Sequence, residues 1–201
     1  MFFNSFFKVK EVMKLSLAIL LLSLISACGN NTISYQEIGE RTHQSKEIAK
    51  KFGMQLKSKL QAAMKEGGPI NAISVCSEQA PLIAKKLSEE TGWDIHRTSL
   101  KPRARKPDDW ETAIMQDFTT RLDNGDKFDS LSSHAITKYN GKPSFRFMQA
   151  IETQKVCLVC HGENIAEPIK TKIAELYPND VATRFKEGDI RGAFSIIQPL
   201  E

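Results

Sequence analysis

HAITKYNGKPSFRFMQAI, residues 134–151, sets the class of fold. Polar and apolar residues alternate on both sides of Asn140-Gly141, the pair that suits a two-residue turn with left-handed backbone at both positions. The stretch reads as a β-hairpin. Near the C-terminus, RGAFSIIQP (191–199) reads as a closing strand. With helical segments before and between them, these strands argue against a helical bundle and predict an α+β fold: N-terminal helices plus a single antiparallel β-sheet with flanking helices.

Upstream of the hairpin, Ile48, Phe52, Leu56, Leu60 and Ala63/Met64 recur at helical spacing, and Gly67-Gly68 should stop that helix. A second helical stretch runs from Pro69 to Gly92, with Pro81 expected to divide it. WDIHRTSL (93–100) sets Trp93, Ile95 and Arg97 against Asp94, His96 and Thr98, and reads as a strand. KPRARKPDD is a loop in which Asp108 or Asp109 should cap the helix WETAIMQDFTTRL, ended by Asn124-Gly125. PIKTKIAELYP supplies one more helix.

The 201 residues are 41% hydrophobic and 26% charged, enough for one domain with a core. A net charge of +4, with no basic run interleaved with aromatics, argues against nucleic acid as a partner. MKLSLAILLLSLISAC, from Met13 to Cys28, has the lysine, apolar run and small-residue end of a bacterial lipoprotein signal. The expected organisation is a signal peptide at 1–27, a lipidated Cys28 with its tether over 28–40, and one domain over 41–201. Gly29-Asn30, with no Asp after the cysteine, resembles lipoproteins of the outer rather than the inner membrane. The expected location is the periplasmic face of a bacterial membrane.

Cys157-Leu158-Val159-Cys160-His161 is the C-x-x-C-H signature of covalent c-type haem attachment. The two thiols add to the vinyl groups on one porphyrin edge, and the histidine that follows offers an imidazole to the iron. A chain of this length contains the pattern by chance about 0.002 times. The other uses of such a pair are a disulfide or half of a zinc site, but no second Cys or His pair is present to complete the latter. One covalently bound haem c per chain is expected.

Cys76 remains. Read from the residues alone, a small buried thiol and an iron ligand stand level for it. His43, His96, His134, Met54, Met64, Met115 and Met148 are further candidates for a sixth ligand, and spacing does not rank them.

NAISVCSEQAPLIAKKLSEETGWDIHRTSLKPRARKPDDWE, followed by CLVCHGE, LYPND and EGDIRGAFSI, resembles the Tll-like family of PAS-fold c-type haem proteins over about residues 40–199. The resemblance implies a PAS-like fold, haem attached through Cys157 and Cys160, and axial ligation by His161 and Cys76. In one departure, Arg184-Phe185 stands where the family implies a glycine-aromatic pair.

Thiolate ligation implies a low reduction potential and a redox-sensitive iron–sulfur bond. The expected function is thus a membrane-tethered periplasmic haem-binding protein, a redox or small-ligand sensor module. Its partners would be the membrane through Cys28, an unidentified periplasmic redox or signalling protein, and a diatomic gas. The alternative is a periplasmic electron-transfer cytochrome c. A haem enzyme would need an open iron face and a distal acid or base such as His96 or His134, which Cys76 on the iron would obstruct, so no catalytic residue is assigned. Arg97 is the expected contact for the haem propionates. Lys101, Arg103, Arg105 and Lys106 are expected mostly in a solvated loop, and Asp189 with Arg191 as a local pair.

Overall fold

The computed structural model describes residues 33–200. The signal peptide and Cys28 lie outside them. The chain divides into two units, Met1–Glu37 and Ile38–Glu201; the sheet and the residues that pack on it belong to the second.

Helix α1, Tyr35–Ser74, is two helices joined at Gly68, whose φ of 67° and ψ of −162° interrupt the helical backbone. The expected stop at Gly67-Gly68 is therefore a kink, and Pro69 restarts the helix as a first-turn residue. The expected division at Pro81 lies ahead of the proline instead. Val75–Gln79 forms a π-helical turn, closed by the Ala80 N–H donating to the Val75 carbonyl, and α2 runs from Ala80 to Thr91. Proline has no N–H, and its ring crowds the carbonyl four residues back, here that of Ser77. The wider π turn relieves that crowding without ending the helix.

β1 (Asp94–Thr98) leads through a loop to α3 (Asp109–Asp123). Asp108 caps α3 reciprocally with Glu111: its carboxylate accepts from the Glu111 N–H, and the Glu111 carboxylate accepts from the Asp108 N–H. β2 (Ser132–Tyr139) and β3 (Lys142–Glu152) form the expected hairpin, with Asn140 and Gly141 at φ 51° and 78°. After β3 come the four-residue helix α4 (Leu158–His161), α5 (Glu167–Leu176) and β4 (Ile190–Pro199).

The four strands make one antiparallel sheet in the order β1-β4-β3-β2, so the last strand lies between the first and the hairpin. Ile196 of β4 sits opposite both Ile95 and Phe147, and Phe194 sits opposite Arg97. Both faces of the sheet are covered. Ala49 and Phe52 of α1 and Ile83 and Leu87 of α2 pack on Ile95, Phe145, Phe147 and Ile196. Met115 and Phe118 of α3 pack on Met148, Ala150 and Ala193 from the other face. This explains why Ser144 to Met148 are buried without interruption in a strand whose residues point alternately to opposite faces. Gln198, fully buried, ties α1 to β4 by accepting from Arg41 Nη1 at 2.9 Å and donating to Ser45 Oγ at 2.9 Å.

Candidate functional site

Ile73, two residues before the π segment, is buried with Ile165, Ile169 and Ile173, and Val159 and Cys160 pack against this cluster. Burial of one apolar stripe thereby brings the helix that bears Cys76 to the helix that bears the C-x-x-C-H motif. Cys76, Cys157 and Cys160 are all free thiols and all half-buried. A 3₁₀ turn, Lys155–Cys157, leads into α4, so Cys157 and Cys160 stand three residues apart on one short helical segment.

His161 is the most firmly held of the candidates. Its Nδ1 lies 2.7 Å from the Ala182 carbonyl, which fixes Nδ1 as the protonated nitrogen. Its Nε2 lies 3.3 Å from Nη2 of Arg191, and a guanidinium only donates, so Nε2 carries the lone pair. Burial, together with the Arg191 and Arg103 guanidiniums, pushes its pKa well below 6.5. The ring is therefore a neutral imidazole with its accepting nitrogen turned away from the backbone, the form in which histidine ligates metals.

Behind it stands a chain of contacts that the sequence does not reveal. Asp180, in the LYPND stretch, receives Nε and Nη2 of Arg103 at 3.0 and 2.9 Å, and both side chains are only 7% exposed. The same carboxylate accepts from the Ala182 N–H at 3.0 Å. Arg103 Nη2 also donates to the Cys160 carbonyl at 3.1 Å. Arg103 thus steadies both the motif helix and the segment that orients His161, rather than lying in a solvated loop. The segment runs back alongside the motif, with the Arg184 and Phe185 N–H groups donating to the carbonyls of Gly162 and His161 at 3.0 Å each. Arg184 adopts a φ of 60°, so the loop keeps the left-handed backbone that suits glycine even though the residue is arginine.

Cys76 lies within electrostatic reach of Cys160, Arg97, Tyr177 and Arg191. Burial first, and then Cys76, push the Cys160 thiol pKa up. Arg97 is half-buried, its guanidinium 5.8 Å from the centre of the Phe52 ring, and no carboxylate is in ion-pair distance of it among the described residues. Arg191 does not pair with Asp189. It turns across the Phe185 ring, 5.0 Å from its centre, towards His161, while Asp189 accepts from the Lys186 N–H.

The other candidate ligands are placed elsewhere. His96 lies between two carboxylates, Nδ1 at 2.8 Å from Asp94 and Nε2 at 2.7 Å from Glu111. His134 stacks on Phe145 at 5.5 Å, Met115 and Met148 fill the core under α3, and His43 and Met54 are exposed. Met64 packs beside Ala63, Ala72 and Val75. Among the described residues, no group of three or more His, Cys, Asp or Glu side chains is placed to hold a lone metal ion, and no helix is long and apolar enough to cross a membrane.

A search of curated proteins finds no match. Among solved structures, the chain is similar to the crystal structure of the cyanobacterial heme-protein Tll0287, with a TM-score of 0.60 and 18% sequence identity. The match covers 84% of this chain and 98% of that one. The model of the Tll0287-like family matches residues 29–199, and the chain belongs to that family.

Proposed function

We propose that this chain is a c-type haem-binding protein in which Cys157 and Cys160 form the thioethers and His161 and Cys76 are the axial ligands. The observation that carries this reading is the state of His161: Nδ1–H held by Ala182, a neutral ring, and Nε2 free of any carboxylate. The solved structure it resembles is titled a heme-protein, which agrees. The donor set also fits. Two reduced thiols at the attachment spacing adjoin an imidazole whose accepting nitrogen meets only the Arg191 guanidinium, and a third thiol lies within electrostatic reach of the second. Arg97, half-buried without a carboxylate, is the propionate contact.

When bound, haem c supplies a one-electron iron couple. The chain's own part is to orient His161 through Ala182 and Asp180, and to present Cys76 from a turn with alternative geometry. A π turn is a segment that can tighten to an α turn, and such turns recur at functional sites. That supports a redox or small-ligand sensor, in which Cys76 would be the iron ligand held on the adjustable turn, over a plain electron carrier. The PAS-like reading draws support from a sheet whose first strand pairs with its last. The protein is placed at the periplasmic face of the outer membrane by a lipid on Cys28, where it reports to a periplasmic redox or signalling partner.

Expression with haem-attachment machinery, followed by mass spectrometry of the denatured protein, tests the reading. The wild type should carry one haem mass, and the Cys157→Ser/Cys160→Ser variant none. A wild-type chain without covalent haem would refute it. Cys28→Ser should release the protein from membranes in fractionation, and retention there would contradict the anchor.

A further inference from the structure

Arg97, Arg103 and Arg191 all act on the His161 ring, but among the described residues only Arg103 is in an ion pair. Arg191 leaves β4 where Gly192 allows unusually close packing: a Cβ on Gly192 would sit 2.3 Å from the Thr98 carbonyl oxygen. That approach directs Arg191 over Phe185, with Nη1 at 3.4 Å from Ser99 Oγ and Nη2 at 3.3 Å from His161 Nε2. Neither partner is an anion. Two half-buried cations without carboxylates among the described residues are unfavourable unless anions join them.

His161 Nε2 has a single lone pair, which cannot serve both a guanidinium proton and a metal. We propose that Arg191 is a placeholder: it caps the His161 lone pair in the haem-free chain and, when His161 becomes a ligand, turns to a haem propionate. The inference rests on the haem reading above. Charge supports it. Two propionates and a thiolate, against the single positive charge of ferric porphyrin, leave two negative charges. Arg97 and Arg191 are cations at this site without a carboxylate among the described residues, as is the more exposed Lys101 over the Phe185 ring. The Arg191 backbone is held within β4, so the proposed move is a rotation of the side chain.

The test compares haem-loaded wild type with Arg191→Gln and Arg191→Lys by redox titration and by the propionate bending modes in resonance Raman spectra. Arg191→Gln should shift the ferric/ferrous equilibrium about tenfold towards ferric, a fall of about 59 mV for one electron. Its propionate modes should shift as well. Arg191→Lys, which keeps the charge, should stay within about twofold of wild type. Arg191→Gln protein with covalent haem, an unchanged potential and unchanged propionate modes overturns the assignment while leaving the haem reading intact. A wild type without haem overturns both. Should Arg191→Gln not accumulate, a crystal structure of the loaded wild type decides. An Arg191 guanidinium on a propionate supports the placeholder, and one in solvent or on a protein carboxylate overturns it.

Discussion

Asp180→Ala strikes the support of the site without touching any candidate ligand. The change removes both hydrogen bonds from Arg103, at 3.0 and 2.9 Å, and the one from the Ala182 N–H at 3.0 Å. With each side chain only 7% exposed, the loss leaves an uncompensated buried guanidinium. Breaking such a pair costs about 3–5 kcal/mol, against a total stability of order 5–15 kcal/mol for a domain. With a urea dependence of about 2 kcal/mol per molar, the midpoint should fall by about 1.5–2.5 M. Urea unfolding followed by far-ultraviolet circular dichroism measures this directly. Arg103→Met/Asp180→Ala should recover more than half the loss, because the stranded charge goes with its partner. A single variant within about 1 kcal/mol of wild type, or a double variant no better than the single, would show that this pair is not a buried support.

Burial opposes protonation of His96, but Asp94 and Glu111 outweigh it and raise its pKa above 6.5. The hydrogen bond from His96 helps hold Asp94 at about 2, and, against burial, Glu111 at about 2 as well. The imidazolium's contribution is full below pH 6.5 and is lost as pH rises through the raised value. The carboxylates' contribution is full above about 4.5 and is lost as pH falls towards 2. Stability should therefore peak between about pH 4.5 and 6.5, and His96→Gln should abolish the alkaline decline in denaturation titrations. Arg184→Gly removes a side chain from a backbone at φ 60° and should raise stability by about 1 kcal/mol, and a loss on thermal unfolding would contradict this. Pro81→Ala restores an N–H and removes the ring, so Val75–Gln79 should tighten to α-helix and turn Cys76 away from the motif. The thiolate signature of the ferric haem protein should then weaken, and an unchanged spectrum would remove Pro81 as the cause of the π turn.

Local patterns in the sequence carried most of the architecture. Asn140-Gly141 specifies its turn because few other residues tolerate the backbone angles, and Asp108 caps α3 because Glu111 lies three residues on. The alternation of β1 places Arg97 and His96 on opposite faces, as the strand shows. Long-range pairings carried no such local mark. Arg103 and Asp180 are 77 residues apart, and nothing in KPRARKPDD distinguishes the buried arginine from its exposed neighbours. Asp189 and Arg191 suggested a pair by proximity in sequence, but Asp189 lies in the turn before β4, where its carboxylate accepts from the Lys186 N–H, while Arg191 reaches His161. Pro81 signalled a break, but its missing N–H and its ring act on the turn before it, so the break falls ahead of the proline as a π turn.

The sensor reading turns on Cys76 and His161 facing each other across the iron. Electron paramagnetic resonance and optical spectra of the ferric, haem-loaded protein, wild type beside Cys76→Ser, decide whether they do. With Cys76 as a ligand, the wild type should give a low-spin thiolate signature that is absent from the variant. Identical spectra in the two proteins would take Cys76 off the iron and return the plain electron-transfer cytochrome to first place.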